Sequence, residues 1–247
     1  MRVTFAPPMT DRALIVVPTY NERENVAEVV DRFLAPVPEA DILFVDDNSP
    51  DGTGALIDEI AARNPRVHAL HRAGKLGLGT AYLDGFRWGL ARDYAYLLEM
   101  DADFSHDPRY LPEMVRLARA GADMVVGSRY VDGGGTENWG VGRRIISRGG
   151  SMYARTILGV RVRDVTAGFV CYRRGTLERL DLDAIRSNGY SFQIEMKYRV
   201  LQQGMTIVET PIVFADRRVG QSKMSRAIFV EALAMVWKLR FSKPPRS

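Results

Sequence analysis

Two aspartates one residue apart, Asp101 and Asp103, lie in the stretch Leu97-Leu98-Glu99-Met100-Asp101-Ala102-Asp103-Phe104-Ser105-His106-Asp107-Pro108. Carboxylate oxygens suit hard cations such as Mg²⁺ or Mn²⁺. Mg²⁺ typically takes one or two carboxylates and leaves its other positions to substrate phosphates and water. The same Asp-Ala-Asp also suits a solvated turn, with Asp107 capping the helix that Pro108 opens. The residues before it bear on the choice. Positions 94–100 form an apolar run that reads as a buried strand, and ligands of open α/β sheets bind beyond the carboxyl ends of strands. Carboxylates at i and i+2 just past such an end can turn towards one ion once the pleat is broken.

The elements that would position them repeat along the first half of the chain. Strand-like runs at 13–17, 41–45, 67–70, 94–100 and 123–126 alternate with helical patterns at 24–34, around Leu56, Ile57 and Ile60, at 79–91 and at 109–119. Apolar strands alternating with helices imply a parallel sheet covered on both faces. The acidic residues fall where strands stop: Glu22 after the first, Asp46 and Asp47 after the second, Asp101 and Asp103 after the fourth. Carboxylates far apart in sequence are thus expected on one sheet edge, which points to a metal or a nucleotide.

Two glycine-containing stretches are set aside as fingerprints. Gly77-Leu78-Gly79-Thr80-Ala81-Tyr82 begins like a dinucleotide motif but ends in Tyr82 and follows the third strand. Gly74-Lys75-Leu76 lacks the Ser/Thr of a P-loop; Lys75 reads as a solvated loop lysine, with a phosphate contact as the alternative.

Beyond residue 126 the texture changes. Gly127-Ser128-Arg129-Tyr130 leads into a Gly-rich polar stretch, 131–142, expected to be a mobile loop over the site. A helix at 143–158 carries Arg143, Arg144, Arg148 and Arg155. A strand-like segment follows at 164–172, a helix at 190–202, an extended piece at 205–214 and a basic loop at 216–223. The last pattern, 227–239, is apolar on nearly every face and leads into Lys238, Arg240, Lys243 and Arg246. It either packs on the domain or lies at an interface.

Composition bounds the rest. The chain has 247 residues, 46% hydrophobic and 26% charged, as in ordinary soluble globular proteins. A net charge of +4 suits anionic partners. Basicity alone, without aromatic platforms or recognised motifs, does not make a nucleic-acid module, so no nucleic acid is expected. The single Cys171 excludes an intrachain disulfide and fits a reducing compartment. The N-terminal residues hold no signal-like core, and no apolar run approaches the ~20 residues of a spanning helix. The expectation is one domain on the cytosolic side.

Taken in order, these residues resemble the inverting family 2 glycosyltransferases, most closely the dolichol (polyprenol) phosphate mannose synthases. The likeness runs from about residue 13 to 223. It rests on Pro18-Thr19-Tyr20-Asn21-Glu22, Val45-Asp46-Asp47-Asn48-Ser49-Pro50-Asp51-Gly52-Thr53, Lys75 to Tyr82, Met100 to His106, Gly127 to Tyr130, Arg143 to Gly149, and Gly220-Gln221-Ser222-Lys223. It implies an α/β GT-A fold with a Rossmann-like, mostly parallel central sheet flanked by helices, in a single domain over 1–247. Within it would lie a loose leader at 1–11, a nucleotide-binding half at about 12–127, an acceptor-binding half at about 128–223 and a C-terminal interfacial or packing helix at 224–240.

The resemblance further implies that Pro18, Tyr20, Glu22, Val45 and Asp47 hold the guanosine of GDP-mannose. Asp101, Ala102 and Asp103 would hold the pyrophosphate and Mg²⁺ or Mn²⁺, with Ser105 standing where some relatives have a ligating Gln. Arg129, Arg143 and Ser147 match an acceptor-phosphate site, while Arg217 and Lys223 match residues that close over the substrates. The implied reaction moves mannose from GDP-mannose to a polyprenyl monophosphate with inversion. A UDP-glucose donor is the nearest alternative, and a nucleotide-binding regulator without turnover is the alternative of another class. Arg144 and Arg148 are left between a functional and a solvated face, and Glu195 between a structural pairing and a role near the sugar. His106 is expected at a helix start or behind the ligands, His68 and His71 as structural, Cys171 in the core. Some relatives carry C-terminal membrane-spanning helices, and none is expected among these residues. The resemblance therefore suggests peripheral attachment at the cytosolic face of a membrane, by 227–240 or through a separate membrane-embedded partner.

Overall fold

The uninterrupted apolar blocks of the sequence form the middle of a sheet, because a strand without alternating polar residues must be covered on both faces. The computed structural model describes residues 11–215 and 226–241. β1 (Ala13–Thr19) lies between β2 (Ala40–Asp46) and β4 (Tyr96–Glu99), parallel to both, and β3 (Val67–His71) pairs in parallel with the far side of β2. Alternate side chains of β1 divide between two cores. Ala13, Ile15 and Val17 pack with α1 (Arg23–Leu34), α2 (Thr53–Ala61) and α4 (Leu111–Arg119). Leu14 and Val16 pack with α3 (Leu78–Leu90) and α7 (Gly189–Gln202). α3 sits so close to the sheet that a Cβ on Gly85 would lie 2.3 Å from Val16 Cγ1, nearer than any real side chain allows.

The second half extends the same sheet. With β5 (Met124–Ser128), β7 (Val170–Arg173) and β8 (Ile207–Pro211), the strand order is β3-β2-β1-β4-β7-β5-β8. β7 runs antiparallel to both β4 and β5, so the sheet is mostly rather than wholly parallel. The strand expected over 164–172 is confined to β7, because 164–169 turns into a loop at the sheet edge. α6 (Arg174–Arg179) follows directly and closes the α3 side through Leu177.

The stretch expected as a mobile loop, 131–142, is held in place. It contains β6 (Gly135–Thr136), which pairs in parallel with β9 (Val213–Phe214), and Gly135 and Glu137 donate backbone hydrogen bonds of 2.9 Å to Ile212 and Phe214. Trp139 is buried. α5 (Val141–Leu158) and α8 (Arg226–Phe241) pack together through Ala154, Leu158, Val236 and Leu239, a third core. The C-terminal helix thus does pack on the domain, with Trp237 and Phe241 left exposed. Among the described residues no helix is long and apolar enough to cross a membrane. The expected leader lies almost wholly outside the described residues, as do Arg217 and Lys223.

Candidate active site

The carboxyl ends of β1, β2, β4 and β5 open on a cavity of about 360 Å³. Pro18, near the end of β1, and Tyr20, just beyond it, line the cavity, and a left-handed Asn21 (φ 59°) turns the chain so that Glu22 lines it too. Lys75, exposed at the rim, places its ammonium 4.0 Å from the centre of the Tyr20 ring.

β2 delivers two adjacent aspartates with different tasks. Asp46 accepts from Thr19 Oγ1 (3.0 Å) and from the backbone N–H (3.0 Å) and hydroxyl (2.6 Å) of Ser49, which makes it the former of the turn. Asp47 faces the cavity and pairs with Arg72 at 2.9 Å. Burial pushes its carboxyl above the ordinary carboxylate range, against the pull of Arg72 and the backbone N–H groups of Gly77 and Leu76. Val45 lies wholly within the sheet and does not line the cavity.

β4 stops at Glu99, and Asp101, Ala102 and Asp103 follow into the cavity. A left-handed Phe104 (φ 60°) reverses the backbone, so that Ser105 N–H donates to Asp103 Oδ1 (3.0 Å) and Asp101 N–H to His106 Nδ1 (3.3 Å). His106 is therefore a support of this turn, stacked on Phe169 with ring centres 5.0 Å apart. Tyr82, from α3, donates its hydroxyl to Asp101 Oδ1 at 3.0 Å. Burial, then the negative charge of Asp101 and Glu99, holds that phenol well above its usual pKa, so it remains a donor. Ser105 Oγ is buried without a hydrogen-bond partner among the described residues. No cluster of three or more His, Cys, Asp or Glu among the described residues could enclose an ion alone. Two cavity-lining carboxylates fit an Mg²⁺ or Mn²⁺ ion that takes its remaining oxygens from ligand and water.

Beneath these aspartates lies a buried polar chain. Glu99 accepts from Tyr172 (2.8 Å) and from Gln193 Nε2, while Gln193 Oε1 accepts from Lys197 Nζ at 3.2 Å. Lys197 also donates to Ala167 O at 2.7 Å. Burial pushes Glu99 up to about 7 and Lys197 down to about 8. Gln193 lines the cavity, whereas Glu195 turns away to Ser187 and Arg199. The structural pairing is thus the role of Glu195.

β5 delivers Arg129, whose guanidinium is clamped by Asp164. Nε and Nη2 donate to the two carboxylate oxygens at 2.7 Å each, and Nη2 reaches Thr166 Oγ1 at 2.9 Å. Burial would raise Asp164, but the charge and hydrogen bonds of Arg129 outweigh it and hold the carboxyl below the usual range. The guanidinium of Arg143, from α5, lies 4.0 Å from the centre of the Trp139 ring and lines the cavity. Ser147, one helical turn further on, accepts from Tyr130 OH at 2.7 Å and does not reach the cavity wall.

The structure therefore brings together Pro18, Tyr20, Glu22, Asp47, Asp101, Ala102, Asp103, Arg129 and Arg143, and sets Val45, Ser105 and Ser147 behind the surface. Sequence reading missed Tyr82, Asp164 and Gln193. The first two had a signal, Tyr82 closing a motif set aside as a decoy and Asp164 opening the polar loop before β7.

A family model described as glycosyl transferase family 2 matches residues 14–181. The chain belongs to that family. It is 50% identical to a polyprenol monophosphomannose synthase of Mycolicibacterium smegmatis, over 94% of this chain and 88% of that one. It is 51% identical to an undecaprenyl-phosphate mannosyltransferase of Micrococcus luteus, over 91% and 92%. Among solved structures, glucosyl-3-phosphoglycerate synthase of Mycobacterium tuberculosis, in complex with Mn²⁺, UDP and phosphoglyceric acid, shares the fold. Its TM-score is 0.66 at 17% identity, covering 98% and 86% of the two chains. A mannosyltransferase from Pyrobaculum calidifontis in complex with GDP-Man and Mn²⁺ matches with a TM-score of 0.53 at 15% identity, covering 97% and 73%. The family's fold is the GT-A arrangement described above.

Proposed function

We propose that the protein transfers mannose from GDP-mannose to a polyprenyl monophosphate with inversion at the anomeric carbon. The observation that carries the reading is the meeting of the Asp101/Asp103 pair with Arg129 and Arg143 in one cavity. Two relatives of about half identical sequence, named for mannosyl transfer to polyprenyl acceptors, support the sugar and the acceptor. The GDP-Man and Mn²⁺ of the Pyrobaculum structure support the donor and the cation.

In this reading Pro18, Tyr20, Glu22 and Asp47 form the nucleoside site, with Val45 behind them in the sheet, within a nucleotide-binding half at 12–127. Asp101 and Asp103 would hold Mg²⁺ or Mn²⁺, with Ser105 in the turn behind them. A bound ion neutralises charge on the departing diphosphate. Arg143, with Arg129 fixed by Asp164, orients the acceptor phosphate, because a guanidinium fork can hold two phosphate oxygens at once. Ser147 and Tyr130 back this wall. A phosphate monoester has a second pKa of about 6, so its attacking oxygen is anionic at neutral pH and needs no general base. That oxygen bonds to mannose C1 as the bond from C1 to the diphosphate breaks, and GDP leaves with the electron pair. A lipid acceptor puts the protein at a membrane surface, peripherally on the cytosolic face, held by its own residues or by a membrane-embedded partner.

The test is transfer of labelled mannose from GDP-mannose to a polyprenyl monophosphate with Mg²⁺ or Mn²⁺. The expected product is a mild-acid-labile lipid that disappears with chelator and in Asp103→Ala. Product from UDP-glucose alone would overturn the donor. No transfer from either donor would overturn the enzyme reading.

A further inference from the structure

The buried polar chain beneath Asp101 and Asp103 fixes one side chain of the cavity wall. Gln193, on α7, is 4% exposed. Its Oε1 accepts from Lys197 Nζ at 3.2 Å, and its Nε2 donates to Glu99 Oε2. An ammonium group only donates, so the amide must turn its oxygen to Lys197 and cannot be flipped. Both partners are themselves held. Lys197, 1% exposed, donates to Ala167 O at 2.7 Å, and Glu99 accepts from Tyr172 OH at 2.8 Å. A primary amide carries two N–H groups. Glu99 takes one, and the other has no partner among the described residues. Gln193 and Gly168 both line the cavity, and a Cβ on Gly168 would stand 3.7 Å from Gln193 Nε2. With no side chain at 168, the amide nitrogen lies at the cavity wall.

We infer that Gln193 is a specificity-determining residue, whose spare N–H donates to a hydroxyl of the donor's hexose. The choice of ligand follows from charge and position. Diphosphate and acceptor phosphate are anions, which call for a cation or a guanidinium. The group that passes between them is a neutral sugar, whose hydroxyl oxygens accept hydrogen bonds. Gln193 stands where such a group would lie. Its partner Glu99 is two residues from Asp101, and its neighbour Gly168 is two residues from Thr166, which holds Arg129 at 2.9 Å. Of the uncharged side chains on the same wall, Tyr82 and Thr166 give their hydroxyl protons to Asp101 and Asp164, whereas Gln193 keeps a proton to give. Held between Glu99 and Lys197, the amide has little rotamer freedom left to lose when sugar binds. The inference rests on the proposed donor being a nucleotide hexose, but not on its base.

The test is calorimetric binding, with Mn²⁺, of GDP, GDP-mannose and its 2-, 3-, 4- and 6-deoxy analogues to the full-length protein. Wild type is compared with Gln193→Met and Gly168→Ala. The first removes the amide. The second leaves the Glu99–Gln193–Lys197 chain intact and sets a methyl group in ordinary contact with Nε2, so it serves even if Gln193→Met fails to fold. Wild type should bind one deoxy analogue about 2–10-fold more weakly than GDP-mannose, the range of a neutral hydrogen bond. Both variants should bind GDP as wild type does, bind GDP-mannose weaker by that factor, and no longer tell it from that analogue. Unchanged discrimination in folded variants would overturn the inference. So would an equal loss for GDP and every analogue, which would leave Gln193 a structural part only. Lost discrimination in a protein that transfers no mannose overturns the proposed reaction alone. Mannose transfer with discrimination unchanged in both variants overturns only the role of Gln193.

Discussion

Taking one oxygen from Tyr82 tests whether Asp101 is held from behind. The phenol oxygen lies 3.0 Å from Asp101 Oδ1, and the ring is wholly buried, stacked on Phe192 with centres 6.0 Å apart and near Phe86 at 6.3 Å. Tyr82→Phe therefore keeps the packing and removes only the donor. A hydrogen bond to a charged group contributes about 1.5–3 kcal/mol, which converts to roughly tenfold to a hundredfold. Residues supporting metal ligands cost about the same range in affinity or activity when changed. The variant should thus bind Mn²⁺ in the presence of GDP about 10–100-fold more weakly, measured by titration calorimetry. Its transfer rate should fall at low Mn²⁺ and recover in part when Mn²⁺ is raised. The same 1.5–3 kcal/mol should lower the unfolding midpoint by roughly 3–12 °C in a chain of this size, so binding is measured well below that midpoint. A folded Tyr82→Phe protein with wild-type Mn²⁺ affinity would refute the support assigned to this hydroxyl.

Asp164→Asn tests the clamp on Arg129. Asp164 has no exposed surface, and the amide would remove the carboxylate charge that clamps the buried guanidinium, at about 3–5 kcal/mol. For a chain of this size that lowers the unfolding midpoint by roughly 10 °C, with loss of transfer; a midpoint within ~2 °C of wild type would contradict it. Glu99→Gln tests the buried chain beneath the aspartates. Burial raises Glu99 from 4.5 to about 7, so between those pH values the folded state holds a proton that the unfolded chain has released. The contribution of Glu99 to stability therefore falls as pH rises through that window. The unfolding midpoint of wild type relative to Glu99→Gln should drop from about pH 5 to pH 7, and a pH-independent difference would count against the raised carboxyl.

Much of the site was legible because its signals are local. An apolar run followed by turn residues marks a strand end without reference to the rest of the chain, and Asp47, Asp101 and Asp103 each stand at such an end. What sequence reading left out depends on pairings across distance. Asp164 meets Arg129 from 35 residues away, and Tyr82 meets Asp101 across 19. Gln193 and Glu195 are two positions apart on one helix, hence about 200° around it. Only the packing of α7 against the sheet turned the first to the cavity and the second to Arg199. The loop at 131–142 reads as mobile from its glycines, but the backbone bonds that hold it come from β9, more than seventy residues later.

By itself, then, the sequence determined the alternation of strands and helices, the strand ends at which the carboxylates stand and the resemblance that names their chemistry. Strand direction at β7, the division of labour between Asp46 and Asp47 and the burial of Ser105 were decided only by the tertiary structure. The physical reason is the same in each case. A residue's type sets what it can bond to, but burial and the arrival of a distant partner set whether it does so with protein or ligand.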